Sequence, residues 1–400
     1  MRVGLLHAAA SRGREIFSFE YERAWLESEH AQELDPALRL HRGPQHLRDG
    51  HDNFGVFLDS SPDRWGRVLL QRREAQLARR EQRPEQRLLE LDYLLGVFDD
   101  HRMGALRYRM GEGAFLDDNT ELASPPWTSL RALEEASLQL EDKGSEKNPS
   151  YDKWLRMLIA PGRSLGGARP KASVIDNKKR LWMAKFPSRT DDIDIGAWEG
   201  VVHTLGLRAG VTLAEARVQR LGSPHHTFLT RRFDRSDQGE RIHFASAMTM
   251  LQRRDGEEGA SYLELAEVLM AQGAHAARDL EQLWRRIVFA MCVSNVDDHL
   301  RNHGFLLEPA SGWSLAPAYD LNPVAHGDGL TLNVSETDNA QDLALARDVA
   351  KHFRVKAKQA ETIIEQVRSA VSCWRDEATR IGIRRSEQDQ MASSFRLAEP

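Results

Sequence analysis

The segment from Met291 to Asp320 constrains the fold more than any other stretch of this chain. An apolar run with helical spacing leads into it and ends in a cluster of polar residues that begins at Asn295. A short strand, a turn and a second strand then carry the chain to Asp320. The pattern predicts a buried helix whose end delivers Asp297 and Asn302 to a loop, followed by a hairpin that delivers one more carboxylate.

The composition is that of an ordinary globular protein. Of the 400 residues, 41% are hydrophobic and 29% are charged, which suits two or three domains with sizeable cores. The formal net charge of −5 gives no reason to expect non-specific binding of nucleic acid. Cys292 and Cys373 are the only cysteines, and their spacing excludes a CxxC motif. Because no apolar run reaches membrane-spanning length and no signal-peptide pattern begins the chain, we expect a cytoplasmic protein without membrane contact.

Composition and turn residues predict four parts. Residues 1–110 alternate strand and helix patterns, and residues 111–128 are rich in the residues of linkers. Residues 129–235 contain a Gly-Gly loop, two strands and a helix, and residues 236–400 are mainly helical.

Two local predictions concern helix ends. Ser61 is a predicted N-cap, with Pro62 at the first position of the helix that follows. The tail after about Arg385 is polar, and we expect it to be mobile.

The polar residues after the buried helix are spaced for phosphoryl transfer. Asp297 and Asn302 have the Asp-x₄-Asn spacing of a protein-kinase catalytic loop, and Asp320 follows a hairpin as the metal-binding aspartate of kinases does. Asp297 would orient the attacking hydroxyl or accept its proton. Asn302 and Asp320 would hold Mg²⁺ through side-chain oxygens, which are the ligands this ion prefers.

Residues upstream supply candidates for a grip on the phosphates of ATP. Gly166 and Gly167 predict a tight loop that could bring backbone N–H groups to the phosphates. Lys185 lies among apolar residues in a predicted strand, and Glu199 follows on a predicted helix. A kinase needs such a lysine to neutralise phosphate charge and such a glutamate to hold it. The order of these signals favours a phosphotransferase.

Two other interpretations stay open. Asp297, Asp298, His299 and His303 could form the site of a metal-dependent hydrolase, because the His-x₃-His spacing and two adjacent carboxylates suit Zn²⁺ or Mn²⁺. Gly304 argues against a helix that continues through this site. The chain could also be an inactive kinase-like module that acts with a DNA-binding partner.

Several motifs resemble the signatures of HipA-type serine/threonine kinases, the toxins of bacterial HipBA toxin–antitoxin modules. They are Ser164-Leu-Gly-Gly-Ala-Arg-Pro-Lys171, Asn295-Val-Asp-Asp-His-Leu-Arg-Asn-His303 and Leu315-Ala-Pro-Ala-Tyr-Asp320. Segments 17–21, 61–66 and 104–107 are similar to the N-terminal subdomain of that family. The resemblance implies an α+β fold with a two-lobed protein-kinase-like core, a small N-terminal α/β subdomain and a mainly helical C-terminal lobe.

The resemblance also implies roles for individual residues. Asp297 matches the catalytic aspartate, with His299 beside it, and Asn302 and Asp320 match the Mg²⁺ ligands. The implied nucleotide-binding residues are Ser164, Gly166, Gly167, Lys171, Lys185, Glu199 and Phe233. At Phe233 the resemblance implies only backbone contacts with the nucleotide.

Regulation and partners follow from the same resemblance. Ser164 matches a loop serine that such kinases autophosphorylate, which disables ATP binding because phosphoserine repels the phosphates of ATP. The implied substrate is a protein, with an aminoacyl-tRNA synthetase as the known type. The implied partner is a small HipB-like DNA-binding antitoxin, through which the chain would contact DNA only indirectly.

Overall fold

The structure is a computed structural model, and it describes residues 1–11, 13–48, 50–116, 125–159, 167 and 169–399. The strands are β1 (Gly4–Ser11), β2 (Arg14–Tyr21), β3 (Gln45–His46), β4 (Lys171–Ile175), β5 (Leu181–Lys185), β6 (Ala216–Gln219), β7 (Thr227–Arg231), β8 (Phe244–Ser246), β9 (Gly304–Glu308) and β10 (Gly312–Leu315).

The α-helices are spread over the whole chain and are densest after residue 256. They are α1 (Arg23–Leu26), α2 (Gly55–Asp59), α3 (Arg64–Glu81), α4 (Glu90–Leu95), α5 (Leu130–Glu141), α6 (Tyr151–Ile159), α7 (Ile195–Arg208), α8 (Ala247–Met250), α9 (Tyr262–Gln272), α10 (Ala276–Val293), α11 (Leu343–Val349), α12 (Ala357–Ser372), α13 (Trp374–Ile381) and α14 (Arg385–Gln390). Within the described ranges, no helix is both long and apolar enough to cross a membrane.

The chain divides into two compact units. The first comprises Met1–Met183, Asp234–Asp255 and Leu307–Ser311. The second comprises Ala184–Phe233, Gly256–Leu306 and Gly312–Pro400.

The first unit contains a three-stranded antiparallel sheet in the order β1-β2-β3. Strand β2 buries Phe17, Phe19 and Tyr21, which alternate along it and therefore share one face. Phe54 and Phe57 pack with them in a buried aromatic cluster. The predicted alternating strand over residues 15–21 is thereby confirmed.

Helix α3 begins two residues later than its predicted start. The cap is Asp63, whose Oδ1 accepts a hydrogen bond from the backbone N–H of Gly66 at 2.7 Å. Ser61 instead donates its hydroxyl to the carbonyl oxygen of Phe57. The predicted cap at Ser61 is wrong because the preceding helix already uses that hydroxyl.

Strands β4 and β5 are joined by the predicted polar turn. The carboxylate of Asp176 closes it by accepting hydrogen bonds from the backbone N–H groups of Lys178 and Arg180, each at 2.9 Å. Strand β5 ends at Lys185, where the second unit has just begun.

The second unit is built around helix α10. From Asp279 to Val293 all residues of this helix are buried except Glu281 and Gln282, which are partly exposed. A helix that is apolar over most of its surface must be enclosed on all sides. It ends because Ser294 takes a left-handed backbone conformation, with φ of 48°. Strands β6 and β7 pair antiparallel in the same unit.

The C-terminal segment is ordered and packs into the second unit. The ring of Phe395 stacks on Trp374, with ring centroids 4.4 Å apart, and it also contacts Trp198 of α7. Glu387 of α14 accepts hydrogen bonds from the backbone N–H of Asp194 and from Nε1 of Trp198. The expectation of a mobile tail after Arg385 is wrong, because Phe395 is buried against Trp198 and Trp374 and Glu387 bonds to the start of α7.

Candidate functional site

Asp297 and Asn302 meet in the loop that follows α10. Nδ2 of Asn302 donates a hydrogen bond to the backbone carbonyl oxygen of Asp297 at 2.9 Å, and Asn302 is buried. The side chain of Asp297 is exposed and makes no hydrogen bond or ion pair with the described part of the chain. The loop therefore fixes the backbone of Asp297 while its carboxylate stays available to solvent and ligands.

Lys185 joins two of the other predicted site residues. Its Nζ lies 2.5 Å from Oε1 of Glu199 on α7 and 2.7 Å from Oδ1 of Asp320. Burial opposes the charge of Lys185, but the negative charges of Asp320 and Glu199 outweigh it and raise the pKa of the ammonium group. Lys185 is thus a largely buried cation, with its side chain 11% exposed, that bridges two carboxylates from distant parts of the sequence.

Asp320 is reached by the hairpin that the sequence predicts. Strands β9 and β10 form it, and the backbone N–H of Ala316 donates to the carbonyl oxygen of Gly304 at 2.9 Å. Asp320 itself has a left-handed backbone, with φ of 58°. A non-glycine residue in this region is unusual and is often found at functional sites.

Two amide side chains connect the loop after α10 with Asp320. The backbone N–H of Asn322 donates to Oδ1 of Asn295 at 3.0 Å, and Nδ2 of Asn322 donates to Oδ1 of Asp320 at 3.2 Å. Asn295 and Asn322 are site residues that the sequence reasoning missed. Their position within two residues of Asp297 and Asp320 is a signal that could have indicated them.

Asp298 belongs to a buried polar cluster and points away from the solvent that Asp297 faces. Its Oδ2 accepts a short hydrogen bond from the hydroxyl of Tyr262, and its Oδ1 lies 3.0 Å from Nε2 of His303. The angle of that second approach is not that of a hydrogen bond, and neither ring nitrogen of His303 has a hydrogen-bond partner among the described residues. Burial and the charge of Asp298 raise the pKa of Tyr262 well above its usual value.

Arg286 adds a positive charge near the same cluster. Its guanidinium donates to the carbonyl oxygen of Ala316 at 2.5 Å. Burial lowers its pKa to about 10, although the negative charges of Asp298 and Asp279 act in the opposite direction. A group with that pKa is still charged at neutral pH.

The predicted hydrolase site does not assemble. Asp298 and His303 are buried together, whereas Asp297 is exposed. Across the ranges that the structure describes, no group of three or more His, Cys, Asp or Glu side chains is placed to hold a metal ion. The loop after α10 is not helical at His299, so the His-x₃-His spacing does not bring its two rings onto one helical face.

Lys171 and Gly167 lie in the first unit. Nζ of Lys171 is 2.7 Å from Oδ2 of Asp63 and 3.0 Å from the carbonyl oxygen of Gly167, and Lys171 is 1% exposed. Asp63 therefore both caps α3 and neutralises this buried lysine. Ser164 and Gly166 lie outside the described residues.

Phe233 and His299 complete the predicted set. The ring of Phe233 packs on Tyr319, the neighbour of Asp320, with ring centroids 5.4 Å apart. The backbone N–H of His299 donates to the carbonyl oxygen of Asp297 at 3.1 Å, and its ring is partly buried. Both residues thus adjoin elements of the site.

Comparison with known proteins adds an independent line of evidence. The family model for the HipA-like C-terminal domain matches residues 163–374, which is more than half of the chain. A protein of Sinorhizobium fredii provisionally named kinase Y4dM is 27% identical over 244 residues. A protein of Haemophilus influenzae provisionally named a kinase is 30% identical over 106 residues. These matches cover 53% and 24% of this chain, and the chain spans only 58% and 31% of the lengths of these two relatives.

A solved structure covers almost the whole chain. It is a chain from the complex of HipA, HipB and operator DNA of the toxin–antitoxin system of Shewanella oneidensis MR-1. The TM-score is 0.69 at 16% sequence identity, and the match covers 99% of this chain and 93% of that one. At this identity the likeness shows the fold, and it confirms the predicted α+β class with a kinase-like core. Together with the family model, it shows that the chain belongs to the HipA family and carries the HipA-like C-terminal domain at residues 163–374.

Proposed function

We propose that this protein is a protein serine/threonine kinase of HipA type that uses ATP and Mg²⁺ in the cytoplasm. The observation that carries the proposal is the position of Nζ of Lys185 between Glu199 and Asp320, at 2.5 and 2.7 Å. Kinases need a lysine held by a helical glutamate to neutralise phosphate charge, next to an aspartate that binds metal. The order and the contacts of these residues support the same roles here.

Asp297 is the proposed catalytic residue. Its carboxylate is exposed, and its backbone carbonyl oxygen accepts hydrogen bonds from Asn302 and His299. It would orient a substrate hydroxyl for attack on the γ-phosphoryl group of ATP and accept the proton of that hydroxyl as the new P–O bond forms. A fixed backbone with an unpaired carboxylate suits this role, because positioning provides much of the catalysis in phosphoryl transfer.

Asn302 and Asp320 are the residues that would hold Mg²⁺. Nδ2 of Asn302 donates to the carbonyl oxygen of Asp297, which leaves Oδ1 as the atom that would ligate the metal. Asp320 would contribute a carboxylate oxygen. Oxygen donors from an amide and a carboxylate fit Mg²⁺, which is bound by few protein ligands in kinases. When bound, the ion would neutralise charge on the phosphates of ATP.

Partner and substrate follow from family membership. The HipA of Shewanella oneidensis has been solved with HipB and operator DNA, which supports a HipB-like DNA-binding antitoxin as the partner of this chain. In that arrangement the chain acts as the toxin of a toxin–antitoxin module and contacts DNA through its partner. The substrate would be a protein hydroxyl, with an aminoacyl-tRNA synthetase as the first candidate, and Ser164 would be the site of autophosphorylation.

The test is transfer of labelled phosphate from ATP in the presence of Mg²⁺, to the purified protein itself and to proteins of a lysate. Asp297→Asn should remove at least 99% of the transfer, on the order of the 10²- to 10⁴-fold contribution of a positioned general base. Asp348→Asn is the matched control, because Asp348 is also an exposed aspartate and makes no described contact. Full transfer by Asp297→Asn would refute the catalytic role.

The switch at Ser164 needs a separate measurement. Ser164→Ala should remove most self-labelling while a lysate substrate is still labelled. Phosphopeptide mapping that places the self-labelling at another residue would reject the proposed autophosphorylation site without affecting the kinase assignment.

A further inference from the structure

A second candidate site lies in the second unit, on the side of α7 that carries Gly200, His203 and Thr204. It is a pocket of about 400 Å³ between α7, strands β6 and β7, and the end of α13. Its lining includes three arginines, Arg217, Arg220 and Arg380, and no carboxylate residue. None of the predicted catalytic, nucleotide-binding or metal-binding residues belongs to this lining.

The positive charge of this pocket is only partly neutralised by the protein. Arg220 is exposed and makes no ion pair with any residue in the described ranges. Arg380 donates its Nε to Glu377 at 2.7 Å, which leaves both terminal nitrogens of the fork without a described partner. Arg217 pairs with Glu215 at 3.0 Å, and because these side chains are 52% and 40% exposed, the ion pair contributes little to stability. Arg220 and Arg380 therefore present guanidinium N–H groups that can donate to an anion in the pocket.

The other lining residues give the pocket a defined wall. Val218, Phe228 and Ile381 supply apolar surface. Gly200 lets strand β6 approach α7, because a Cβ at that position would lie 2.1 Å from Cγ2 of Val218. The ring of His226 is held by Asp194, whose Oδ2 lies 2.6 Å from Nδ1. Small-molecule sites typically combine such an apolar wall with a few oriented polar groups.

We propose that this pocket binds a phosphate monoester. Guanidinium forks match the geometry of phosphate oxygens and hydrogen-bond them in pairs. A phosphate monoester carries about −1.5 to −2 charges at pH 7 and three acceptor oxygens, which suit the charge of Arg220 and the terminal nitrogens of Arg380 better than the single charge and two oxygens of a carboxylate do. The ester carbon next to the phosphate would contact the apolar wall at Phe228 and Ile381.

The position of the pocket links it to α7. Glu199, which holds Lys185, directly precedes the lining residue Gly200 in the sequence of α7. Asp194, which holds the lining residue His226, is also the N-cap of α7 and accepts a hydrogen bond from the backbone N–H of Ala197 at 3.2 Å. A ligand in the pocket would therefore contact the same helix that positions Glu199, from a different set of side chains.

The experiment is a calorimetric titration of the full chain with O-phosphoserine, without nucleotide or Mg²⁺. Saturable binding should weaken about tenfold or more in Arg220→Ala and in Arg380→Ala, because each removes a charge-assisted contact. Arg385→Ala is the matched control, since Arg385 is 70% exposed and lies outside the lining. The thermal unfolding midpoint checks that each variant is folded, and Arg220→Lys, which keeps the charge but loses the fork, should show an intermediate affinity.

Two further arms identify the source of the ligand and the location of binding. Tighter binding of a phosphoserine peptide than of O-phosphoserine would assign the pocket to a phosphorylated protein segment, and equal binding would assign it to a small organic phosphate. Loss of binding in Lys185→Met with full binding in Arg220→Ala would place the phosphate near Lys185 and overturn the proposal. The absence of saturable binding of O-phosphoserine would also overturn the proposal, and so would an affinity for succinate equal to that for O-phosphoserine.

Discussion

Nζ of Lys185 and Oδ1 of Asp320 are 2.7 Å apart, although 135 positions separate the two residues in the chain. Asp320→Asn would leave Lys185 paired with Glu199 alone and would remove a carboxylate oxygen that Mg²⁺ can use. We expect Mg²⁺-dependent binding of ATP to weaken at least tenfold, measured by calorimetry, with the fold retained. Asp348→Asn should bind ATP as the unchanged protein does, and an Asp320→Asn variant with full metal-dependent affinity would contradict the assigned role.

Glu199 is the second partner of Lys185, and its loss should affect both stability and activity. Glu199→Gln keeps the shape of the side chain but removes the charge that lies 2.5 Å from Nζ of Lys185. Because Asp320 remains as a partner, we expect the free energy of unfolding to fall by about 1–3 kcal/mol, less than when a buried pair is broken outright.

The readouts for Glu199→Gln are urea unfolding and phosphate transfer, which should drop more than tenfold. Glu365→Gln, on the exposed face of α12, is the control and should change neither quantity. Unchanged transfer with a lower stability would mean that Glu199 supports only the fold.

Tyr262 should stabilise the loop after α10 through Asp298. Tyr262→Phe removes the hydroxyl that donates to the buried carboxylate of Asp298, and hydrogen bonds to charged groups contribute about 1.5–3 kcal/mol. We expect a loss of that size in chemical unfolding, with reduced phosphate transfer because Asp298 adjoins Asp297. Tyr319→Phe is the comparison: its hydroxyl donates to the neutral carbonyl oxygen of Arg301, so its loss should cost less than about 1 kcal/mol.

His243 should make the first unit sensitive to acid. Burial lowers the pKa of His243 to about 4. The hydrogen bond between Nε2 and the carbonyl oxygen of Leu34 acts in the opposite direction but has a smaller effect on the pKa. In the unfolded chain the pKa is about 6.5, so the unfolded state binds more protons between these values and stability is lost as the pH falls. The loss should approach about 3 kcal/mol near pH 4.

The pH dependence of unfolding measures this effect. His243→Gln keeps a donor for the carbonyl oxygen of Leu34 but cannot be protonated, so the slope between pH 6.5 and 4 should become shallower. His352→Gln, at an exposed position, should keep the original slope. Identical slopes in all three proteins would show that His243 is not the source.

Phe395 should contribute to the stability of the second unit. Its fully buried ring stacks on Trp374, and Phe→Ala changes in cores typically cost about 3–5 kcal/mol. A melting experiment should show a clear decrease for Phe395→Ala and almost none for Arg396→Ala, whose side chain is exposed. Equal melting temperatures would indicate that the tail detaches before the unit unfolds.

The sequence contained the main elements of the candidate site because they are encoded locally. The apolar spacing before Met291 predicted a buried helix, and the alternation after His303 predicted the hairpin that leads to Asp320. The order of Lys185 and Glu199 then matched a kinase. The ion pair between Lys185 and Glu199 is the contact that this kinase-like order leads one to expect.

Other features depend on tertiary contacts that no local pattern reveals. Tyr262 and Asp298 are 36 positions apart, and Lys171 and Asp63 are 108 apart. A lone tyrosine on a helix or an aspartate before a helix reads as an ordinary core residue or cap. The sequence gives no sign of the role of Phe395 either, because one aromatic residue in a polar tail produces no periodicity.

The hydrogen bonds that Glu387 accepts from Asp194 and Trp198 have a consequence for the order of assembly. The Asp194 contact spans 193 positions, so at 5–20 residues per second a ribosome needs about 10–40 s to add Glu387 after Asp194. During that time the backbone N–H of Asp194 and Nε1 of Trp198 lack the acceptor that Glu387 supplies, and Phe395 is not yet present to cover Trp198. A nascent chain therefore completes the contacts around the first turns of α7, the helix that carries Glu199, only near the end of synthesis.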